Sequence, residues 1–438
     1  MGTAFDRDRF VWLTGIEDTC VYSPARYGMP PLDEFALTGH DDQWRDDLLL
    51  VRDLGCGGLR YGAGWPRVHL APGKFDWSWL DERIEFANDL GLTIIADLVH
   101  YGTATWLDGS FADPDYPEVV AEFAGAFAER YRGMVDAITP LNEPVTTASF
   151  SGLRGVWPPA LTGWDGWTRV VTNLALGMSR SIAAIRSVNP AATIVHVEAS
   201  ALYETDDPAL DEHRLLLERV AAIPTDLLLG RIQPGDEAWR WLEEHGASVG
   251  ALTELAAAPP RLDILGVNYY PDLTPRRLVA GAPDPQQRAL NRGVAGLEQV
   301  LRDAERRYGL PMMVTETSIE GSEETRSQWL RGSTDAVAGL RSDGMDIRGY
   351  TWWPLIDFVD WSWASGGHNI EEFEVAADVV SERTRSATGA AARVGSITPF
   401  LRRMGLARLD EANDGTLRRR PDASAELFAS FARPQGLR

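Results

Sequence analysis

The stretch LDERIEFANDLGLTIIADLV, residues 80–99, contains one full unit of the architecture. Leu80, Ile84, Ala87 and Leu90 recur at the 3.6-residue period of an amphipathic helix, and Gly91 follows where a helix commonly ends in a left-handed residue. Immediately after it, residues 93–99 form a short run rich in β-branched and aliphatic side chains, the pattern of a buried strand. Helix followed by strand, with a two-residue link, implies parallel pairing through crossovers.

Working outward, comparable β-rich runs lie near residues 10–13, 58–61, 137–141, 193–197, 262–268, 312–315 and 349–353. Together with 93–99 that makes eight candidate strands. A second helical stripe places Val120, Phe123, Phe127 and Tyr131 on one face. Eight strands alternating with helices predict an α/β fold of the closed (β/α)8 TIM-barrel type rather than an open sheet. The glycines of Gly55-Cys56-Gly57-Gly58 precede a strand instead of following one, so they read as a helix-to-strand turn and not as a phosphate loop. No repeat of 20 to 50 residues and no Ser, Gly or Pro linker divides the chain. Residues 1–438 are therefore expected to form a single elaborated catalytic domain. Two stretches stand out from the pattern: 210–261, a helical crossover carrying Trp239 and Trp241, and 364–403, an excursion whose part 386–396 is rich in small residues.

Composition narrows the function. The 438 residues carry 64 acidic against 42 basic side chains, a formal charge of −22, which repels nucleic acid and anionic membrane. Hydrophobic residues make up 44%, yet no apolar run reaches the length of about 18 that a membrane span needs. The start of the chain lacks the apolar stretch of a secretory signal, so a cytoplasmic location is expected. Cys20 and Cys56 are too few for a disulfide framework or a zinc cluster, and neither metal nor cofactor is expected. All basic residues but Lys74 are arginine, which excludes a mechanism needing a second lysine.

In such barrels chemistry gathers at the C-terminal ends of the strands. The residues there are Arg60 and Tyr61, Asp97 and His100, Asn142 and Glu143, Asn268 to Tyr270, Glu316, and Trp352, Trp353, Asp357 and Asp360. Two glutamates, several hydrogen-bonding side chains and aromatic faces suit a sugar, whose hydroxyls need directed partners and whose C–H faces lie on rings. Cleaving a glycosidic bond takes one carboxylic acid to protonate the leaving oxygen and one carboxylate to attack or to activate water. Glu143 and Glu316 are the candidates, 173 residues apart in the chain. A lone glutamate at a strand end more often caps a helix or pairs with arginine. Asp97 reads as structural on those grounds.

The motifs around these residues lower that reading for the pair. Thr139-Pro140-Leu141-Asn142-Glu143-Pro144 resembles the T-L-N-E-P motif of family-1 glycoside hydrolases, the β-glucosidase family of clan A. Leu59-Arg60-Tyr61 with Gly64-Trp65-Pro66-Arg67, Val99-His100-Tyr101 with Trp106-Leu107, Leu265-Gly266-Val267-Asn268-Tyr269-Tyr270, Val314-Thr315-Glu316 and the stretch 349–361 are similar to further motifs of that family, in its order. Met404-Gly405-Leu406 and Arg420-Pro421-Asp422-Ala423-Ser424 echo its end. The resemblance covers nearly the whole chain.

It implies a retaining β-glycosidase acting on a small β-glycoside or oligosaccharide, with Glu143 as acid/base and Glu316 as nucleophile. Arg60 would pair with Glu316 and hold it ionised, and Tyr270 would donate to it. Asn142 would contact the sugar 2-hydroxyl, His100 another hydroxyl, and Asn268 would stand by the reacting centre. Trp353 would floor the sugar ring, and Asp360 with Trp361 would reach its far hydroxyls. The acid should have its pKa raised towards roughly 6 to 7, and a retaining pair should stand about 5 to 5.5 Å apart. A transglycosylase using the same covalent intermediate, or a barrel that binds sugars without cleaving them, are the other readings. The departures lie at sugar-contacting positions. The window Gly15 to Cys20 has no glutamine where the family clamps two hydroxyls, leaving Glu17 and Asp18 as its acidic candidates; Tyr101 stands where tryptophan is usual, and Asp360 where glutamate is. The excursion at 364–403 is long enough to narrow the pocket or to join identical subunits into a homo-oligomer.

Overall fold

The computed structural model describes residues 5–135, 137–281, 285–364, 397–412 and 415–433. Eight strands close a barrel: β1 Val11–Ile16, β2 Gly58–Gly62, β3 Thr93–Asp97, β4 Ala137–Thr139, β5 Thr193–Ala199, β6 Ile264–Asn268, β7 Met312–Thr317 and β8 Ile347–Trp352. Every neighbouring pair is parallel, and β8 returns to pair with β1, Val11 opposite Gly349. A major helix follows each strand: α1 His40–Asp53, α2 Ser78–Asp89, α3 Tyr116–Arg130, α4 Gly163–Val188, α5 Asp211–Leu228, α6 Gly293–Tyr308, α7 Glu323–Ser342 and α8 Ala423–Ala432. The fold is the expected (β/α)8 barrel.

All eight expected strands are present. Several were read short: β5 runs on to Ala199, β7 to Thr317 and β1 through Thr14 to Ile16, while β8 starts at Ile347; in β1 and β8 Gly15 and Arg348 break the apolar pattern of strands whose partners lie on both sides. The helices bury the stripes their spacing marks out, Leu80, Ile84 and Ala87 on α2, and Val120, Phe123 and Phe127 on α3. Each buried Leu, Ile, Val or Phe side chain contributes roughly 1.5–3 kcal/mol by leaving water. Gly91 takes φ +75°, the left-handed conformation expected of it. The crossover at 210–261 is helical, with Glu237–Glu244 and Val249–Ala257 following α5.

Inside the barrel Val11, Leu13, Ile95, Ala137, Val195, Val197, Ile264 and Met313 form an apolar plug, and above it the inward positions turn polar, beginning with Arg60. The site therefore rests on a packed floor rather than on an open pore. Most of the expected excursion lies outside the described residues. Its two ends are joined: Phe358–Val359, just after β8, pairs antiparallel with Leu401–Arg402. Among the described residues no helix is long and apolar enough to cross a membrane.

Candidate active site

Arg60 projects from the middle of β2 into the barrel and is fully buried. Its Nη1 lies 2.7 Å from Glu316 Oε1 and 2.8 Å from Glu17 Oε1, and its Nη2 lies 2.8 Å from Asp97 Oδ2 and 3.1 Å from Asn142 Oδ1. Burial pushes the guanidinium's pKa down, and the carboxylates of Glu17, Glu316 and Asp97 more than reverse it. One cation thus serves three carboxylates. Consequently Arg60 does not hold Glu316 far into its charged form. Burial raises the Glu316 carboxyl, Arg60 opposes this, the charge of Glu143 adds to it, and the result is a pKa of about 7. The Tyr270 hydroxyl donates to Glu316 Oε2 at 2.7 Å. A register shift between Val267 and Asn268 sets Glu316 level with Asn268 on the neighbouring strand, which aims both at the same space.

Glu143 caps the short helix Pro144–Ala148 in a left-handed conformation, φ 45° and ψ 68°. Three donors hold its carboxyl: Tyr101 Oη at 2.5 Å and Thr146 Oγ1 at 2.9 Å on Oε2, and Asn268 Nδ2 at 2.8 Å on Oε1. Asn268 is itself oriented by Thr315, whose hydroxyl donates to Oδ1 at 2.7 Å. Tyr101 has φ 69°, also left-handed. Non-glycine residues in that region cost about 1–3 kcal/mol each and persist where surroundings impose them. Here the imposition is visible: a Cβ on Gly102 would lie 1.8 Å from the carbonyl oxygen of Cys20, so the His100 to Gly102 turn fits only against bare backbone.

A cavity of about 530 Å³ opens over these groups. Of the residues expected at the site, His100, Tyr101, Glu143, Asn268, Tyr270, Glu316, Trp353, Asp360 and Trp361 form its wall. A larger cavity, about 650 Å³, lies between α5 and α6 outside the barrel and touches neither Glu143 nor Glu316, so size does not locate the chemistry.

The structure places the remaining expected residues behind the wall. Asn142 is fully buried, with Nδ2 donating to Tyr101 Oη at 3.0 Å and lying 3.3 Å from His100 Nε2. Burial lowers the pKa of His100, but Asp97, Glu316 and Asp18 raise it above the ordinary value overall. Glu17 is fully buried beside Arg60, and burial raises its pKa well above the carboxylate range against the pull of Arg60. Its carboxylate fills the place a side chain at Gly15 would take, 2.3 Å from an added Cβ and next to Trp353. Asp18 is raised to about 6 by burial, with His100 opposing, and its Oδ1 accepts from the Thr19 backbone at 2.6 Å.

At the far end, Asp360 accepts from Arg402 at 2.8 Å and from the Ser362 backbone at 2.9 Å, and Trp361 donates its indole N–H to Thr19 at 2.9 Å. These polar groups already have protein partners, which the residue types alone did not indicate. Sequence reading also passed over Thr146 and Arg402. Thr146 had a signal, since it stands three residues after the capping Glu143. Arg402 had none, because only the pairing of 401–402 with 358–359 brings it in. Asp97 serves Arg60, in keeping with its structural reading.

Residues 33–277 match the family model of glycosyl hydrolase family 1. The chain belongs to that family. Among family-1 relatives it is 26% identical over 394 residues to a bifunctional β-D-glucosidase/β-D-fucosidase of Bifidobacterium breve, covering 75% of this chain and 84% of the relative. It is 22% identical over 352 residues to β-glucosidase A of Thermotoga maritima, covering 74% and 79%. A solved structure of the Thermotoga maritima β-glucosidase in complex with azafagomine superposes with a TM-score of 0.75 over 98% of both chains at 17% identity. As a family-1 member with this barrel, the chain is an O-glycosyl hydrolase of the β-glucosidase type.

Proposed function

We propose that this family-1 enzyme is a retaining β-glycosidase that hydrolyses a small β-glycoside or oligosaccharide by double displacement. The observation that carries the reading is the unlike setting of two carboxyls in one cavity: Glu316 beside a guanidinium and a phenol, Glu143 held by three neutral donors. Two carboxyls with different environments suit two roles.

In the first step an ionised Glu316 oxygen attacks the anomeric carbon while the Glu143 carboxyl gives its proton to the leaving oxygen. The glycosidic bond breaks and an ester to Glu316 forms. Water then enters, Glu143 takes its proton, and the ester bond is displaced with the anomeric configuration restored. Arg60 and Tyr270 steady the charge that returns to Glu316 as the ester breaks. Trp353 offers its face to the ring and His100, in the cavity wall, meets a sugar hydroxyl, while the buried Asn142 acts from behind by orienting Tyr101 and His100.

The test is a pair of variants with aryl β-glycosides. Glu316→Ala abolishes cleavage, whereas Glu143→Ala spares good leaving groups, recovers rate with azide and loses on the order of 10² to 10⁴ in rate on poor ones. Proton NMR of the first sugar released shows the β-anomer. An α-anomer as first product refutes retention, and unchanged turnover in Glu316→Ala refutes the nucleophile.

A further inference from the structure

Tyr101 is expected from sequence to touch the sugar, but its hydroxyl is committed elsewhere. Its one proton goes to Glu143 Oε2 at 2.5 Å, and it accepts from Asn142 Nδ2 at 3.0 Å. The ring has little freedom. It lies 4.9 Å from the Trp157 ring at 31°, meets Trp361 edge-on at 5.4 Å and His100 at 4.4 Å, and is 3% exposed. Its backbone is held left-handed next to Gly102, which leaves no room for a side chain against Cys20. A residue clamped from ring and backbone, with its hydroxyl on the acid's carboxyl, has the form of a support.

Resting on the retaining reading above, we infer that Tyr101 is the positioning residue of the acid/base: with Thr146 it occupies Glu143 Oε2, so that the transferable proton sits on Oε1. The count of lone pairs gives the reason. Among the described residues Oε2 accepts from both Tyr101 and Thr146, while Oε1 accepts from Asn268 alone and has a lone pair to spare. A proton on Oε1 is therefore on the oxygen with room for it, and the carboxyl cannot turn without breaking the two bonds on the other side.

The other titratable groups facing Glu143 are Glu198 from the end of β5, Tyr270 after β6 and Glu316 from β7. Tyr270 also feels Tyr101, but less than it feels burial and the charges of Glu316 and Glu143. A donor to a carboxylate favours its charged form, so losing that donor favours the proton. The proton is then kept to higher pH, and the basic limb of kcat/KM moves up.

The experiment compares Tyr101→Phe with the parent enzyme on 2,4-dinitrophenyl and phenyl β-glucoside, alone and combined with Glu143→Ala. Expected are a loss of about tenfold or more in kcat/KM on the phenyl glucoside, a much smaller loss on the dinitrophenyl one, and a basic limb about one pH unit higher. In the Glu143→Ala background the same change adds nothing, as for two residues acting through one contact. A sugar-binding hydroxyl behaves otherwise: both substrates lose equally and the loss persists without Glu143, which overturns the assignment. Infrared titration of the Glu143 carboxyl, isolated by difference against Glu143→Gln, reads the hydroxyl without substrate. A midpoint raised by about one unit in Tyr101→Phe supports the positioning role even if no glucoside is cleaved, in which case only the retaining reading fails. An unmoved midpoint overturns the role of Tyr101 while leaving the glycosidase reading standing.

Discussion

Replacing Arg60 with methionine separates the charge of the guanidinium from its bulk. The side chain is fully buried, as are Glu17 and Asp97, and Glu316 is 4% exposed, so removing the cation orphans three carboxylates that water cannot reach. Deleting one partner of a buried ion pair costs about 3–5 kcal/mol. For 438 residues at about 2.1 cal/mol/K each, the unfolding entropy near the midpoint is about 0.9 kcal/mol/K, so Arg60→Met lowers Tm by about 3–5 °C at pH 8. The pH dependence carries the sign. Burial has already raised Glu17 well above its ordinary value and Glu316 to about 7. A carboxyl with a raised folded pKa contributes stability that is present below its unfolded value and lost as pH rises through the folded one. Without Arg60 these carboxyls are pushed further up, so the penalty grows from pH 5, where the fold holds protons at little cost, to pH 8, where the unfolded chain is ionised and the fold must either retain protons or bury unpaired charge. Calorimetry of parent and variant at both pH values should show a drop at pH 5 of less than half that at pH 8. Equal drops would refute the charge argument and leave Arg60 a packing role only.

Other outcomes follow from the same geometry. Glu316 must be ionised to attack, so kcat/KM on an aryl β-glucoside should fall about tenfold per unit below a limb near pH 7; a limb near 4.5 in a pH–rate profile would contradict the sharing of Arg60. Asn268→Ala leaves both Thr315 and Glu143 short of a partner, and should cost about 1–3 kcal/mol by denaturant titration together with at least about a tenfold fall in kcat/KM. Gly102→Ala places a Cβ on the Cys20 carbonyl, so the His100 to Gly102 turn must move; a loss of about 1–3 kcal/mol or more should accompany a fall in kcat, and wild-type behaviour in both would refute the close approach. Burial also raises Asp272 to about 7 and Asp18 to about 6, so the parent protein should melt at a higher temperature at pH 5.5 than at pH 8.

Much of the site was legible because strand ends carry chemistry in this fold and because strand runs are easy to see. Arg60, Glu143, Tyr270 and Glu316 were singled out that way, and the contacts of Arg60 and Tyr270 with Glu316 are those the motifs implied. The readings that changed concern partners. Asp360 and Trp361 were matched to distant sugar hydroxyls, yet Arg402 and Thr19 take their polar atoms. Tyr101 was matched to the sugar and donates to the acid instead. In each case the competing partner is remote in sequence or depends on a backbone conformation, φ 69° at Tyr101, that residue type does not announce.

Period and punctuation in the chain, apolar stripes closed by glycine and followed by β-rich runs, were enough to specify eight units and hence a barrel, because local burial demands act within a few residues. They also put both glutamates at strand ends. How one guanidinium's charge is divided among Glu17, Asp97 and Glu316, and that Tyr101 and Thr146 share one oxygen of Glu143 while Asn268 takes the other, were decided only by tertiary structure. Those quantities depend on angstrom-scale distances across strands whose register, with its shift beside Asn268, is set by closure of the whole barrel.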